Sequence, residues 1–496
     1  MRQIKVGVIG AGPAGLTASW KLSEGGADVT VYEADAQYVG GIARTVEYKG
    51  FRFDIGGHRF FSKSQEVEAL WEDLLGKDLL TRPRSSRILY GGKFYAYPLK
   101  AQEAFFNLGV IETARCVLSY AWAQVFPRRP AKSFEDWVSN QFGQRLFEIF
   151  FKTYTEKVWG MSCKEISADW AAQRIKGLSL AKAVWSSIFP QRGSENSAQT
   201  IKTLINSFRY PRLGPGMMWD AAAERTRAAG GKVHMGVRVT AIEKLSSGLA
   251  WRIHFVSADG SKGQEDFDHV ISSAPLRELI HAVTPKPQSL VLAAADGLRY
   301  RDFLTVALVV RPSNPFDDNW IYIHDPKVKV GRIQNFGSWS PEMIPDPALA
   351  CYGLEYFCFE GDGLWNTSDA DLIALATKEL QQLGLVKPGD VLDGNVVRQP
   401  KAYPVYDDDY AKHVDVIRGV LDQEYPNLHL VGRNGMHKYN NQDHSMMTAL
   451  LVSRNILSGT KQYDVWCVNQ DAEYHEESRE VEDKTGRQVP RAKKDM

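Results

Sequence analysis

Toward the C-terminal end of the 496-residue chain, the stretch GRNGMHKYNNQDHS (432–445) places His437, Lys438, Tyr439, Asn440, Asn441, Gln442, Asp443 and His444 in one unbroken run. A strand-like segment, Leu428 to Val431, leads in, and an apolar helical segment, Met446 to Leu457, leads out. So many hydrogen-bonding groups at a strand-to-helix junction suit a site for a polar ligand. A helix beginning near Ser445 would aim its free N–H groups and positive dipole end at a negative charge. A simple N-cap by Asp443 or Ser445 would account for two of these residues, not eight. A second concentration of chemistry lies at the other end, in IKVGVIGAGPAGLTASWKLSEGGADVTVYEAD. Gly10, Gly12 and Gly15 form G-x-G-x-x-G around Pro13 and Ala14, and Glu33 follows 18 residues after Gly15. Gly10 suits a tight turn, Gly12 a close approach by a pyrophosphate, Gly15 helix–strand packing, and Glu33 the hydroxyls of a ribose.

The elements that must position these groups are legible around them. Ile4 to Ile9 read as a buried strand, Leu16 to Leu22 as a helix, and Ala27 to Tyr32 as the next strand. That context turns a common glycine triplet into a dinucleotide site. The following VGGIARTVEYKGFRFDIGGHRFF favours FAD over NAD. Gly40, Gly41, Ile42, Ala43 and Arg44 form a second glycine-rich turn with a cation. Gly56 and Gly57, just before His58, offer backbone against which a flat ring can lie, although an ordinary hairpin turn is the plain alternative. Here the chain resembles the FAD family that includes amine oxidases, protoporphyrinogen oxidases, phytoene desaturases and UDP-galactopyranose mutases. The resemblance implies that the chain returns to the cofactor. GGKVHMGVRVTAIEK (230–244) would bring Val239 to the adenine, DHVISSAPL (268–276) would bring Ser273 near the flavin, and NLHLVGRNG would end at Gly432 and Arg433. The fold class expected is α/β. A discontinuous Rossmann-type FAD-binding domain would be built from 1–80, 210–280 and 425–460, with an inserted, largely helical substrate or cap domain at 81–209. A mixed or antiparallel β-sheet substrate domain would span 281–424, and a charged extension 461–496.

Within that family, three stretches resemble the eukaryotic-type UDP-galactopyranose mutases: GFRFDIGGHRFFS, FFKTYTEKVWGMSCKEISADWAAQRI (150–175) and GRNGMHKYNNQDHS. GRIQNFGSWSP (331–341) and AYPVY (402–406) are weaker matches. The resemblance implies redox-neutral interconversion of pyranose and furanose rings through a covalent adduct of reduced flavin, with NAD(P)H as the reductant and a part in cell-surface polysaccharide synthesis. By the same resemblance, Arg174 and Arg332 would clamp the diphosphate and His58 would answer to the redox state of the flavin. Trp159, Tyr403, Tyr439 and Asn441 would contact substrate, with Tyr406 a weaker candidate. Asn441, Gln442, Asp443 and Ser445 would reach the isoalloxazine and ribityl chain. On residue type alone, each arginine also reads as a structural ion pair, His58 as a buried core histidine and the tyrosines as core aromatics. Arg82, Arg84 and Arg87, with near period-two spacing, read as an exposed strand face. Two alternatives to the mutase remain open: a true FAD oxidoreductase of amine oxidase, protoporphyrinogen oxidase or desaturase type, and a non-catalytic flavin- or nucleotide-binding module.

Bulk composition narrows the partners. The chain is 44% hydrophobic and 24% charged with a formal net charge of +1, so no global field attracts nucleic acid, and a small-molecule substrate is expected. Five cysteines, at 116, 163, 351, 358 and 467, show no metal-ligand spacing and fit a reduced compartment. The opening MRQIKVGVIGAG lacks the apolar core of a signal peptide, and a cytoplasmic location is expected. The stretch 104–126 is apolar but carries Glu112 and Arg115, and reads as an amphipathic or core helix, with peripheral membrane contact the minor reading. Oligomeric state is not encoded in any pattern found.

Overall fold

The computed structural model describes residues 3–97, 99–166, 168, 207–246, 251–407 and 409–469. Two sheets organise these residues. The first is a five-stranded parallel sheet whose spatial order is 428–430, 269–272, 5–9, 28–32 and 232–234. The central strand reads KVGVI and is sealed on both faces, which is why an almost continuous apolar run forms it. Helices Pro13–Glu24, Gly216–Ala228 and Gln442–Ser458 cover one face through Leu16, Leu22, Trp219, Met446 and Leu450. The other face packs on a four-stranded sheet (237–244, 251–257, 262–267 and 283–284) through Ile242, Ile253 and Phe267. Strands distant in sequence thus share one sheet, and the chain order reverses on either side of strand 5–9. In such sheets the crevice beyond the strands' carboxyl ends at the reversal is the natural ligand site.

The second sheet has seven strands in the order 391–404, 300–310, 350–358, 332–335, 320–323, 86–90 and 93–96. It is antiparallel except where 320–323 pairs with 86–90. Strand Tyr300–Val310 is buried at every position. One face receives helix Asp369–Gln382 through Leu372, Ala376 and Leu380, and the other meets Phe53, Phe336 and Trp339. Strands 86–90 and 93–96 belong to this sheet, although the sequence predicts a largely helical domain over 81–209. Their apolar residues, Ile88, Leu89 and Tyr95, are buried by the sheet edge they complete.

The helical layer holds Ala101–Leu108, Val110–Val125, Phe134–Phe142, Gln144–Phe147 and Thr153–Trp159, with a π-helical turn at 148–152. Ser133 and Asp136 form a capping box that starts the third of these helices. Helix 153–159 is pinned to the seven-stranded sheet from two directions. Lys157 Nζ donates to the carbonyls of Ile323, Asp325 and Val330 at 3.2, 2.7 and 3.0 Å. Arg301 donates to the carbonyls of Val158 and Lys157 at the helix's C-terminal end, where a cation also suits the dipole. At the far end of the described chain, 461–469 packs on the fold: Val468 is buried in the core of the five-stranded sheet's helical face. Lys438 Nζ donates to the carbonyls of Trp466 and Val468, so this segment closes over the 437–444 junction.

Candidate functional site

A cleft of about 330 Å³ runs from the end of strand 28–32 to the 432–445 junction. Gly10, Gly12, Pro13, Ala14, Glu33, Gly41, Ile42 and Ala43 line it from the N-terminal segment. Val239 and Ser273 line it from the returning strands. His58, Gly432, Arg433, Asn441, Gln442 and Ser445 line its other end.

The three glycines of the first turn differ physically. Gly10 has φ +93°, and a Cβ there would meet Ser273 Oγ at 2.5 Å. A Cβ on Gly15 would lie 1.9 Å from the Gly10 carbonyl oxygen, so only glycine lets helix 13–24 close on the turn. Gly12 has an extended backbone that any residue adopts, and a Cβ there would meet nothing within 4 Å. Its bareness serves the cleft, not the fold. Glu33 accepts from the Ala11 and Asp35 amides at 2.7 and 2.9 Å, which fixes its carboxylate at the rim. Burial raises its pKa against those hydrogen bonds.

At the other end, the helix begins at Gln442 with Asn441 as its N-cap, three residues before the Ser445 start expected. Asn441 accepts the amide of His444, while its own amide donates to His444 Nδ1, a reciprocal cap whose partner is histidine rather than the usual acid. The helix still aims its N-terminus into the cleft, with Asn441, Gln442 and Ser445 on the wall. Two helix starts, at 13 and at 442, therefore bring positive dipole ends to one cleft. Most of the polar run has another purpose. Asn440 donates to the Gly432 carbonyl, Asp443 accepts from Ser62 Oγ, and His437, buried at φ +45°, faces the Val405 carbonyl. Asp443 thus braces the neighbouring segment and does not line the cleft. Gln442 Oε1 accepts from Trp219 Nε1, which orients it.

His58 sits on a turn anchored by Asp54, which is fully buried and accepts from Tyr210 Oη at 2.5 Å. Burial lifts that carboxyl to about 8. His58 itself is pushed down to about 3, first by burial and then by the guanidiniums of Arg433 and Arg332. Its ring is neutral at physiological pH. The 3.2 Å contact with the Gly56 carbonyl assigns the proton to Nδ1 and leaves Nε2 a free acceptor. Gly56 and Gly57 do not line the cleft; they shape the turn that carries His58, Gly56 at φ +93°.

The two arginines around His58 are in different states. Arg332 and Glu355 face each other on adjacent strands, and Arg332 Nε and Nη2 donate to Glu355 Oε2 at 2.7 and 2.6 Å. Glu355 is fully buried and also accepts from Gln334. Arg332, expected as a diphosphate clamp, spends one edge of its fork on this ion pair. Arg433 has no carboxylate partner among the described residues. It donates to the carbonyls of Asn440 and Ala402 at 3.0 and 3.2 Å, and its guanidinium lies 5.0 Å from the ring centres of both Tyr403 and Tyr439. Those rings stack with centroids 5.6 Å apart and an 11° interplanar angle. Tyr403 has its pKa raised by burial and then by Tyr439, so its hydroxyl stays a donor. The Tyr406 hydroxyl accepts from the Tyr439 amide at 2.5 Å and braces the loop.

Several expectations are revised. Trp159 packs among Phe134, Val138, Phe147 and Cys163 in the helical core, away from the cleft. Five residues along a helix turn the side chain by about 140°, so the face that reaches Arg332 carries Tyr154 and Lys157 instead. Tyr154 stacks on His324 and meets Tyr322 edge-on. Nothing in the sequence distinguishes Tyr154 from its aromatic neighbours, nor does it mark Gln399 and Lys401, which line the cleft as Tyr154 does not. Arg44 stands behind the cleft wall, donating to the Gly41 carbonyl and to Gln399 Oε1 at 2.9 and 2.6 Å. Arg82, Arg84 and Arg87 are not an exposed face: Arg84 lies over Tyr97 and Trp320, and Arg87 pairs with the buried Asp318. Arg174 and Trp170 lie outside the described residues.

The buried histidines carry a consequence for stability. His58, His324 and His429 are held at about 3 and His437 at about 4, in each case chiefly by burial. Each folded-state value lies below the unfolded value of about 6.5. Their contribution is therefore fully present above pH 6.5 and is withdrawn as pH falls toward the folded values. The unfolding free energy should drop with a slope approaching ~1.4 kcal/mol per pH unit for each such histidine, offset in part by the opposite slope of the buried Asp54 carboxyl, raised to about 8. Urea midpoints at about pH 7.5 and about pH 5 measure this, and an unchanged midpoint would contradict it.

The donor set fits a long dinucleotide: a ribose acceptor at Glu33, bare backbone at Gly12 beside a helix start, and a second helix start at 441–442. The chain matches the family described as flavin containing amine oxidoreductase across residues 13–441. It is 23% identical over 493 residues to protoporphyrinogen oxidase 2, chloroplastic/mitochondrial, of Arabidopsis thaliana, covering 93% of each chain. Among solved structures, it superposes on reduced UDP-galactopyranose mutase with a TM-score of 0.78 at 21% identity, covering 93% of this chain and 95% of that one. A putative protoporphyrinogen oxidase from Exiguobacterium sp. 255-15 gives 0.69 at 16% identity, covering 93% and 100%. The α/β fold with its Rossmann-type sheet is that of FAD-binding amine oxidase-type flavoproteins, and the chain belongs to the flavin-containing amine oxidoreductase family.

Proposed function

We propose that the chain is an FAD-dependent sugar-nucleotide mutase, or a close relative acting on another glycosyl diphosphate, that interconverts ring forms with no net redox change. The observation that carries this reading is Arg433: a guanidinium without a carboxylate partner among the described residues, beside neutral His58, at the end of the cleft where helix 442–458 begins. An apolar substrate gains nothing from a desolvated cation, whereas a diphosphate leaving group gains charge-assisted, bidentate hydrogen bonds. The edge of Arg332 not taken by Glu355 and the hydroxyls of Tyr403 and Tyr439, which stand beside His58 and Arg433 but do not line the cleft, are proposed as further donors for phosphate oxygens. His58 Nε2, kept neutral by burial and by the two guanidiniums, is a hydrogen-bond acceptor toward the ring-facing end. Reduced flavin supplies a nucleophilic nitrogen; NAD(P)H is its proposed reductant. The fold likeness to a UDP-galactopyranose mutase agrees with this reading.

The second reading is a true FAD oxidoreductase. It is favoured by the protoporphyrinogen oxidase relatives, whose similarity extends over nearly the whole chain. One anaerobic experiment separates the two. Protein reduced with limiting dithionite is mixed with UDP-galactopyranose or UDP-galactofuranose, and products are resolved while flavin absorbance is followed. Many turnovers per flavin, with the flavin still reduced, are the expected result. No isomerisation, with flavin reoxidised in proportion to an added acceptor, would overturn the mutase in favour of the oxidoreductase.

A further inference from the structure

Far from the cleft, helices 101–108 and 110–125 turn an apolar face to solvent. Ile111, Leu118 and Trp122 are 74%, 70% and 67% exposed, and their spacing of seven and four residues puts them on one side of the second helix. Phe106, 77% exposed, extends the face onto the first helix. The opposite side is held firmly: Cys116 is buried, Ser119 Oγ accepts from the Arg145 amide, and Gln124 donates to the Asn140 carbonyl. A contiguous apolar face of this kind marks an interaction surface.

We propose that this face seats on the surface of an anionic lipid bilayer, with helix 110–125 lying in the membrane plane. Three observations favour lipid over a second copy of the chain. Arg115 falls between Ile111 and Leu118 on the same side and is itself 66% exposed. A protein partner would have to bury that guanidinium, whereas at a bilayer it snorkels to the phosphates. Aromatic pairs stand at the two ends, Phe105 with Phe106 and Trp122 with Phe126, as in interfacial belts. The segment keeps a small local excess of positive charge although the chain is nearly neutral: Lys100, Arg115, Arg129 and Lys132 stand against Glu103 and Glu112, while Arg128 is paired with Glu135 and Asp136. Among the described residues no helix is long and apolar enough to cross a membrane, which leaves an in-plane contact. The inference rests on this surface alone and is independent of the reaction at the cleft.

The test is flotation of the FAD-loaded full chain with vesicles of phosphatidylcholine, with and without phosphatidylglycerol. The parent should float with the anionic vesicles and more weakly with the neutral ones. The L118E/W122E variant should lose partitioning by on the order of a hundredfold with its flavin spectrum intact, since both side chains are exposed. The R129E/K132E variant should lose the preference for anionic vesicles. The proposal is overturned if the parent stays unbound with both vesicle types, or if L118E/W122E floats as the parent does. It is also overturned if sedimentation without lipid shows a dimer that L118E/W122E abolishes, because the face would then belong to a second copy.

Discussion

Replacing Gly12 by valine is expected to yield a folded, colourless protein, while the same change at Gly15 yields little soluble protein. The two positions are three residues apart in one motif, and motif logic alone would predict the same loss of cofactor for both. Geometry separates them. A Gly15 Cβ would sit 1.9 Å from a backbone carbonyl oxygen that has nowhere to go, because Gly10 is fixed by its own turn. Helix 13–24 would be forced off the central strand, disturbing the core around Leu16 and Leu22. Overpacking of this kind costs roughly 1–3 kcal/mol or more even where side chains can move, and here the obstacle is backbone. At Gly12 the backbone is extended and the space above it is open, so valine folds without conflict but projects into the cleft beside the start of helix 13–24. That is where a pyrophosphate must approach the free N–H groups. The flavin absorbance per folded protein, with folding followed by circular dichroism, gives the answer. A G12V protein that purifies with full flavin content would show that the cofactor's phosphates do not lie on this turn.

The contrast also indicates what was readable in advance. Parallel strands buried on both faces announce themselves by apolar residues, so 5–9 and 28–32, with the turn between them, are legible, whereas the return of the chain at 269–272 and 428–430 follows only from the family resemblance. Strands 86–90 and 93–96 were not: RILY and KFYA are short, partly polar segments that become strands only because 320–323 offers an edge to pair with. The polar run at 437–444 was rightly singled out as unusual, but residue type does not say whether a polar group faces a ligand or a neighbouring carbonyl. Asn440, Asn441 and Gln442 line the cleft, Asn440 while also donating to the Gly432 carbonyl, whereas Lys438 and Asp443 spend their hydrogen bonds on bracing. The phase of a helix is as hard to read without its partners. In FFKTYTEKVWG the largest residue, Trp159, fills the helical core, and the face toward Arg332 belongs to Tyr154.

The same ambiguity between bracing and function surrounds the two arginines, and substitution should divide them. Arg332→Met removes the partner of a carboxylate that has no exposure and no route to water. Leaving Glu355 uncompensated should cost about 3–5 kcal/mol of unfolding free energy. The double variant Arg332→Met/Glu355→Met should recover most of that loss, because an apolar pair of similar volume avoids burying either charge. Arg433→Met is expected to behave in the opposite way. Its guanidinium neutralises no carboxylate among the described residues, so its removal should shift the urea midpoint little. It should weaken binding of UDP to the FAD-loaded protein by about 1.5–3 kcal/mol, the contribution of a charge-assisted hydrogen bond in a desolvated site. It should also raise the pKa of His58, since one of the two cations that depress it is gone. Calorimetric titration with UDP and histidine-resolved NMR report these effects separately. If Arg433→Met binds UDP as tightly as the parent while Arg332→Met loses binding without losing stability, the roles are reversed: Arg332 is then the anion partner and Glu355 only orients it. If neither variant changes UDP affinity, the cationic end of the cleft serves the flavin alone, and the case for a diphosphate substrate falls with it.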